Sequence, residues 1–202
     1  GTDGFRLAVL KLPSRPNLED QKVLLPAKAL QEIQRIAQQL KTKQLTAQLD
    51  PTLKQAKFLL DNTEVFVRMI EGEFPPYEKI IPQEVFYQTE VDREAMLEEL
   101  KRAQLFTRET SNIVKLVLES EKLSIQAKSP SFGEYVGEIS VKNPKPEKLE
   151  IAFNVNYLID FFSAQDSLGV TFSATESLKP ATFKPEGEKN FFYVVMPFRV
   201  SE

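Results

Sequence analysis

The sequence predicts an α+β fold in which duplicated antiparallel sheets carry helices on one face. Two observations lead to this prediction. A helix signal followed by three strand signals occurs twice in the 202-residue chain, about 125 residues apart. The strand segments alternate apolar and polar residues, as antiparallel strands with one buried face do.

The repeat is clearest between Leu45–Phe58 and Val170–Phe183, which are identical at five of fourteen aligned positions. A second pair, Val65–Ile70 and Phe192–Pro197, lies 127 residues apart. Chance similarity between two amphipathic sheets is the alternative, but the shared order of elements favours duplication. The identical pairs are Thr46/Thr171, Leu53/Leu178, Lys54/Lys179, Ala56/Ala181 and Phe58/Phe183.

A helix is predicted before each copy. The first, Pro26–Leu40, has proline at its first turn and apolar residues at helical spacing on one face. These apolar residues are Leu30, Ile33, Ile36 and Leu40. The second helix is Val155–Ala164, with Asn154 or Asn156 as its N-cap. Its predicted inward residues are Leu158, Ile159 and Phe162.

The second unit also shows what precedes the repeated part. Asp92 is the expected N-cap of a helix over Arg93–Thr107, with an inward face of Met96, Leu100 and Ala103. A hairpin of Ile113–Glu119 and Lys122–Lys128 follows, with its turn at Ser120-Glu121. Two further strands are predicted before the second helix, one over Tyr135–Val141 and one through Leu149, Ile151 and Phe153. We summarise the unit as α-β-β-β-α-β-β-β, itself a duplication.

This pattern divides the chain into residues 1–85, a domain that lacks its opening part, and residues 86–202, a complete domain. We therefore expect the chain to be truncated at its N-terminus. Between the two lies Glu71–Pro82, whose three prolines predict a stiff linker without regular structure.

Composition argues against several functions. There are no cysteines and no histidines, which removes thiolate metal sites and the commonest general base. The seven glycines form no phosphate-binding loop. We expect no enzyme, no cofactor and no metal. With a net charge of −3, any DNA binding must depend on a local basic face or on topology. No membrane-spanning run or signal peptide is evident, which fits a cytoplasmic protein.

Four segments resemble one known family, the β subunit (sliding clamp) of bacterial DNA polymerase III. They are Thr2–Ala8 (TDGFRLA), Glu71–Pro82 (EGEFPPYEKIIP), Ile151–Phe162 (IAFNVNYLIDFF) and Tyr193–Val200 (YVVMPFRV). The likeness covers essentially the whole chain, in order, and matches part of the family's second domain and all of its third. It implies the DNA-clamp fold.

The resemblance also implies a function. Family members join head to tail as a homodimeric ring around duplex DNA, without sequence preference, and serve as non-catalytic processivity factors in DNA replication. Replicative and other polymerases, the clamp loader, and mismatch-repair and ligase-type proteins bind them through a short linear motif, typically Gln followed by Leu and Phe-like anchors. The location implied is the cytoplasm, at the nucleoid during replication. This fragment itself is expected to be monomeric or only weakly associated.

The family's motif-binding pocket lies between domains two and three. Carried over by resemblance, its positions in this chain are Thr2, Gly4, Arg6, Leu7, Pro75, Ile80, Asn154, Tyr157, Leu178, Pro180, Val194, Met196, Pro197, Phe198 and Arg199. Apolar side chains there offer area to bury, Met can adapt to several ligands, and the polar ones can orient a peptide. For Leu7, Leu178 and Val194, which we place in alternating strands, simple core packing is the alternative.

Resemblance also implies basic helices that line the DNA channel. The candidates are Lys28, Arg35, Lys101, Arg102 and Arg108. A solvated helix face balanced by glutamates explains them almost as well. Leu105 and Phe106 match an apolar pair at the family's ring interface, although they could equally cap the local core.

Two other functions remain open on the residues alone. One is an enzyme that uses Asp3, Asp160 and Asp166 with magnesium, although their spacing suggests no site. The other is a structural β-rich interaction protein.

Overall fold

The computed structural model describes residues 1–13, 22–82, 84–142 and 148–199. They form two compact units. The larger unit comprises Gly1–Pro13 and Glu78–Glu202, and the smaller unit comprises Ser14–Tyr77. The first strand of the chain thus belongs with the C-terminal part. The predicted domain boundary at residues 85 and 86 stays a prediction.

In its described residues, the smaller unit is one helix on a three-stranded antiparallel sheet. Helix α1 is Ala27–Leu40, and the strands, in the order β2-β3-β4, are Thr46–Asp50, Gln55–Leu60 and Thr63–Arg68. Its buried apolar residues are Ile33, Ala56, Phe58, Leu60 and Val67. Leu30 and Leu40, predicted on the inward face of α1, are exposed. The helix packs on β3, so the small sheet covers only the middle of that face.

The larger unit contains a nine-stranded sheet in which every neighbouring pair of strands is antiparallel. The order is β1-β12-β11-β10-β5-β8-β7-β6-β9. In chain order these strands are β1 Arg6–Leu10, β5 Tyr87–Asp92, β6 Ile113–Glu119, β7 Lys122–Ser129, β8 Gly133–Lys142, β9 Leu149–Asn154, β10 Gly169–Ala174, β11 Ala181–Pro185 and β12 Phe191–Val195. Helices α2, Arg93–Thr107, and α3, Val155–Ser163, pack against each other; α2 covers β7 and β8.

Side-chain caps explain where both helices begin. The Asp92 carboxylate accepts a hydrogen bond from the Ala95 backbone N–H at 2.8 Å, and the Asn154 side chain accepts one from Asn156 N–H at 2.9 Å. Asn154 is therefore the N-cap of α3. Within α3, Leu158 and Phe162 are buried as predicted, whereas Ile159 is only half-buried and Phe161 lies in the core.

The predicted repeat is present in three dimensions. α1 is followed by β2, β3 and β4, and α3 is followed by β10, β11 and β12. Two of the identical pairs occupy equivalent environments, since Ala56 and Ala181 are buried, as are Phe58 and Phe183. The pattern α-β-β-β-α-β-β-β was incomplete for the larger unit: β5 precedes α2, and four strands, not three, separate α2 from α3.

Two further expectations need correction. The proline-containing linker includes one turn of 3-10 helix, Tyr77–Ile80, which begins just after Pro75 and Pro76. Leu178 lies in the turn between β10 and β11 and not in a strand, and its side chain is 53% exposed.

Candidate partner-binding surface

Arg6 is the centre of a polar cluster that joins β1 to α3 within the larger unit. Its Nε donates to Asp3 Oδ2 at 2.9 Å, and its Nη1 donates to Asp160 Oδ2 at 2.6 Å. The guanidinium carbon lies 4.5 Å from the centre of the Tyr157 ring, a cation–π arrangement. The cluster therefore links residues that are far apart in sequence.

Tyr193 makes two hydrogen bonds to members of this cluster. Its hydroxyl donates to the Tyr157 carbonyl oxygen at 3.0 Å and accepts from Arg6 Nη1 at 3.4 Å. Burial raises the pKa of Tyr193 to about 12, against the opposing effect of Arg6. The phenol therefore stays neutral and keeps its proton for the Tyr157 carbonyl.

Arg6 and Asp3 are held in their ionised forms. Burial by itself lowers the pKa of Arg6, but its hydrogen bonds to Asp160, Tyr193 and Asp3 outweigh this and raise it. Burial by itself raises the pKa of Asp3, yet hydrogen bonds from the Phe5 backbone and from Arg6 outweigh this and lower it. The cluster is thus a salt-bridged network at neutral pH.

A tight turn places Arg6 at the start of β1. The Thr2 hydroxyl donates to the Arg6 carbonyl oxygen at 2.7 Å and accepts from Gly4 N–H at 3.1 Å. Gly4 has a φ of +93°, a conformation that side chains other than glycine rarely adopt. Gly4 therefore has a conformational role in this turn.

The segment after β12 runs beside this turn. Met196 N–H donates to the Phe5 carbonyl oxygen at 2.8 Å, and Phe198 N–H donates to the Ala152 carbonyl oxygen at 2.7 Å. The Met196 side chain is 38% exposed, and Phe198 and Arg199 are also exposed, while Pro197 is half-buried. Phe5 stacks on Tyr157 with ring centres 6.4 Å apart. An apolar surface therefore adjoins the Arg6 cluster.

The turn before β11 reaches the same end of the sheet. Ala181, the first residue of β11, pairs with Val195 of β12, which also pairs with Arg6 of β1. Pro180, directly before Ala181, is half-buried, and Leu178 is exposed. The structure thus brings the turn containing Leu178 and Pro180 to the strand ends from which Arg6 and Met196 emerge.

Leu7 and Val194 are different from the other predicted pocket residues. They are paired across β1 and β12 and are only 2% and 1% exposed. As residues that face each other on paired strands, they point to the same side of the sheet, and their place in the pocket stays a prediction. Pro75 is exposed in the smaller unit, and Ile80 is exposed at the end of the 3-10 turn in the larger unit.

Sequence reasoning did not predict the partners of Arg6. Asp3 and Asp160 entered only as carboxylates of a hypothetical magnesium site, and Tyr193 entered only as part of a strand. The Asp3–Arg6 spacing was a local signal. No local signal links Arg6 to Asp160, because that contact depends on β1 lying beside α3. No group of three or more acidic candidates for metal binding occurs among the described residues.

The five basic candidates for a DNA channel fall into two classes. Arg35 is paired with Glu32, and Arg102 is paired with Glu98 and Glu99. These ion pairs are those expected of the balanced helix face, and contact with DNA stays a prediction for all five residues. Lys28, Lys101 and Arg108 make no ion pair within the described part of the chain.

Leu105 and Phe106 lie near the end of α2. Leu105 is 57% exposed, and Phe106 is half-buried and stacks on Tyr135 of β8 with ring centres 5.5 Å apart. Along β8, residues Gly133–Ser140 pair with β7, whereas pairing with β5 involves only Val141 and Lys142. Much of β8 thus has one unpaired edge among the described residues.

Two family models match consecutive parts of the chain. The DNA polymerase III beta subunit, central domain, matches residues 1–76, and the C-terminal domain of the same subunit matches residues 78–199. This chain belongs to the DNA polymerase III beta subunit family. The beta sliding clamp of Haemophilus influenzae is 29% identical over 199 residues, which cover 98% of this chain and 53% of that protein.

Solved structures of DNA polymerase III beta subunits have the same fold. The Pseudomonas aeruginosa subunit matches with a TM-score of 0.89 and 27% identity, over 98% of this chain and 54% of that one. A Pseudomonas aeruginosa sliding clamp bound to griselimycin matches with a TM-score of 0.87 and 28% identity, over 98% and 53%. These confirm the predicted DNA-clamp fold, α+β with antiparallel sheets.

The chain spans about half the length of the curated relatives it matches. In the described residues, no helix combines the length and apolar character needed to cross a membrane.

Proposed function

We propose that this chain is part of a DNA sliding clamp, a non-catalytic processivity factor of a bacterial DNA polymerase that acts in the cytoplasm. The observation that carries the proposal is the match, in order, to the central and C-terminal domains of the beta subunit family. In this function the complete protein forms a homodimeric ring around duplex DNA and holds polymerases, the clamp loader, and mismatch-repair and ligase-type proteins near the template.

Partner proteins are proposed to bind at the surface around Arg6, Tyr157 and Met196 in the larger unit, with Ile80 of the same unit as a further family position. The exposed side chains there combine apolar area with oriented donors, which suits a short peptide with apolar anchors. The griselimycin complex of the Pseudomonas aeruginosa clamp supports ligand binding by a protein of this fold.

The test is a fluorescence titration of the chain with a labelled Gln-Leu-Ser-Leu-Phe peptide. We expect Met196→Ala to weaken binding about tenfold, from the loss of ~1–2 kcal/mol of apolar burial. Arg199→Ala should weaken it in the same direction without unfolding the protein. Leu168→Ala is the matched control, since Leu168 is exposed in the same unit. Unchanged affinity in Met196→Ala and Arg199→Ala would contradict the assignment.

For DNA, the proposed contacts are Lys28, Lys101 and Arg108, because they make no ion pair within the described residues. Binding by the isolated chain should be sequence-independent, weak and strongly salt-dependent. Exchange of Lys101 or Arg108 for Glu should weaken it, whereas exchange of Arg35 or Arg102 should matter less. Electrophoretic mobility shifts at several salt concentrations measure this.

The ring interface is proposed at Leu105, Phe106 and the unpaired edge of β8. An exposed strand edge beside an apolar pair can accept a strand from a second subunit. Leu105→Asp in the complete protein should shift the dimer to monomer in light scattering, while Leu168→Asp should not.

A carboxylate-dependent enzyme is less well supported, since Asp3 and Asp160 are both engaged by Arg6.

A further inference from the structure

Arg6 is held in one orientation by groups on two different elements. Tyr157 and Asp160, three residues apart, lie on one face of α3; the ring contacts one face of the guanidinium and the carboxylate binds Nη1. Asp3, in the turn before β1, binds Nε. Nη2 has no hydrogen-bond partner within the described residues, so its donors are free for a ligand.

The charges in this cluster do not cancel. One guanidinium and two carboxylates sum to −1. Both carboxylates are more exposed than Arg6, at 43% and 61% against 28% of the side chain. A ligand that approaches the free edge of Arg6 therefore meets one cation flanked by two anions. A neutral amide or carbonyl oxygen can accept from Nη2 without repulsion, whereas a ligand carboxylate is repelled by Asp3 and Asp160.

We infer that Asp160 is a positioning residue for Arg6, and that Asp160 and Asp3 together make this surface prefer an uncharged hydrogen-bond acceptor to a carboxylate in a bound peptide. This rests on the proposed peptide-binding function. A guanidinium fixed in advance loses little freedom when it binds, which favours the ligand whose acceptor fits that one orientation.

The experiment compares two acetylated, labelled peptides, Gln-Leu-Ser-Leu-Phe and Glu-Leu-Ser-Leu-Phe, which differ by one charge. Dissociation constants are measured by fluorescence anisotropy at about 50 mM salt, where screening is modest. The wild-type chain should prefer the Gln peptide. In Asp160→Asn the preference should shrink about threefold to tenfold, the size of one partly screened charge interaction.

Three variants complete the experiment. Asp3→Asn should also reduce the preference for the Gln peptide, because it removes the other negative charge. The turn should be retained, since the amide oxygen still accepts hydrogen bonds from the Phe5 and Arg6 backbone N–H groups. Asp160→Glu retains the charge and should retain the preference. Asp166→Asn is the matched control, because Asp166 is exposed soon after α3 and makes no ion pair within the described residues.

The outcomes distinguish a failure of this inference from a failure of the proposed peptide-binding function. If the Gln peptide binds but Asp160→Asn and Asp3→Asn keep the wild-type preference, the inference is wrong and the peptide site stands. Equal wild-type affinity for the two peptides also overturns it. If neither peptide binds the wild-type chain, the proposed peptide-binding function fails, and the inference fails with it.

Discussion

At the residue scale, Glu150 on β9 has the most strongly shifted pKa of any carboxylate outside the Arg6 cluster in the described part of the chain. Its side chain accepts from Lys115 Nζ at 2.6 Å and from Lys148 Nζ at 2.9 Å. The hydrogen bonds to Lys115 and then Lys148 lower its pKa from 4.5 to about 2. Lys115 is on β6, the strand beside β9, so the pair ties two neighbouring strands together.

This shift predicts a pH dependence of stability. A lowered folded-state pKa means that the ion pairs stabilise the fold above pH 4.5 and lose their effect as pH falls towards about 2. Glu150→Gln should therefore lower the free energy of unfolding near neutral pH, modestly because the group is exposed. The difference from wild type should disappear near pH 2. Urea unfolding across this range measures it.

Glu134→Gln, which removes a carboxylate whose one ion pair among the described residues is with Lys128, is the control for the loss of one negative charge. A Glu150→Gln difference that is constant between pH 7 and pH 2 would show that the ion pairs are not its origin.

At the scale of single elements, helix boundaries were the most predictable feature. The helix predicted at Arg93–Thr107 has those bounds, and α3 differs from its prediction by one residue at its C-terminus. The reason is local, since Asp92 and Asn154 cap backbone N–H groups only two or three residues away. Strand β5 was missed because its TEV pattern, short and followed at once by a helix, gives little periodicity to detect.

The cap of α2 carries a prediction of its own. Asp92→Ala should destabilise the larger unit by about 1 kcal/mol, because the Ala95 N–H loses its acceptor at the start of the helix. Asp92→Asn should retain most of the stability, because an amide oxygen can accept the same bond. Urea unfolding monitored by circular dichroism compares the two. Equal losses in both variants would contradict a capping role.

At the scale of the whole molecule, the two compact units differ greatly in core size. The smaller one buries five apolar residues, as far as the described residues go, whereas the larger has an extended core with four phenylalanines that are essentially fully buried, Phe153, Phe162, Phe172 and Phe183. Small cores leave small stability margins. Phe58 and Phe183 occupy equivalent positions of the repeat, so the same substitution can be used to lower the stability of each unit.

We expect the smaller unit to unfold at lower urea concentration than the larger one. Phe58→Ala should shift only the first transition to lower urea concentration or abolish it, and Phe183→Ala should do the same only to the second. Each substitution should lower the free energy of unfolding of its unit by about 3–5 kcal/mol. Hydrogen exchange of peptides from α1 and from α2, measured by mass spectrometry, assigns each transition. One shared transition that both variants shift equally would show that the units unfold together.

The sequence by itself determined the duplicated helix-and-sheet units, most element boundaries and, through resemblance, the family. These depend on periodicity, caps and motifs, which act over a few residues. Only the tertiary structure decided that β1 joins the sheet of the larger unit, that Leu7 and Val194 are buried, and that Asp160 holds Arg6. Each of these depends on which distant segments become neighbours, and a strand or side chain carries no local mark of the partner that long-range packing brings to it.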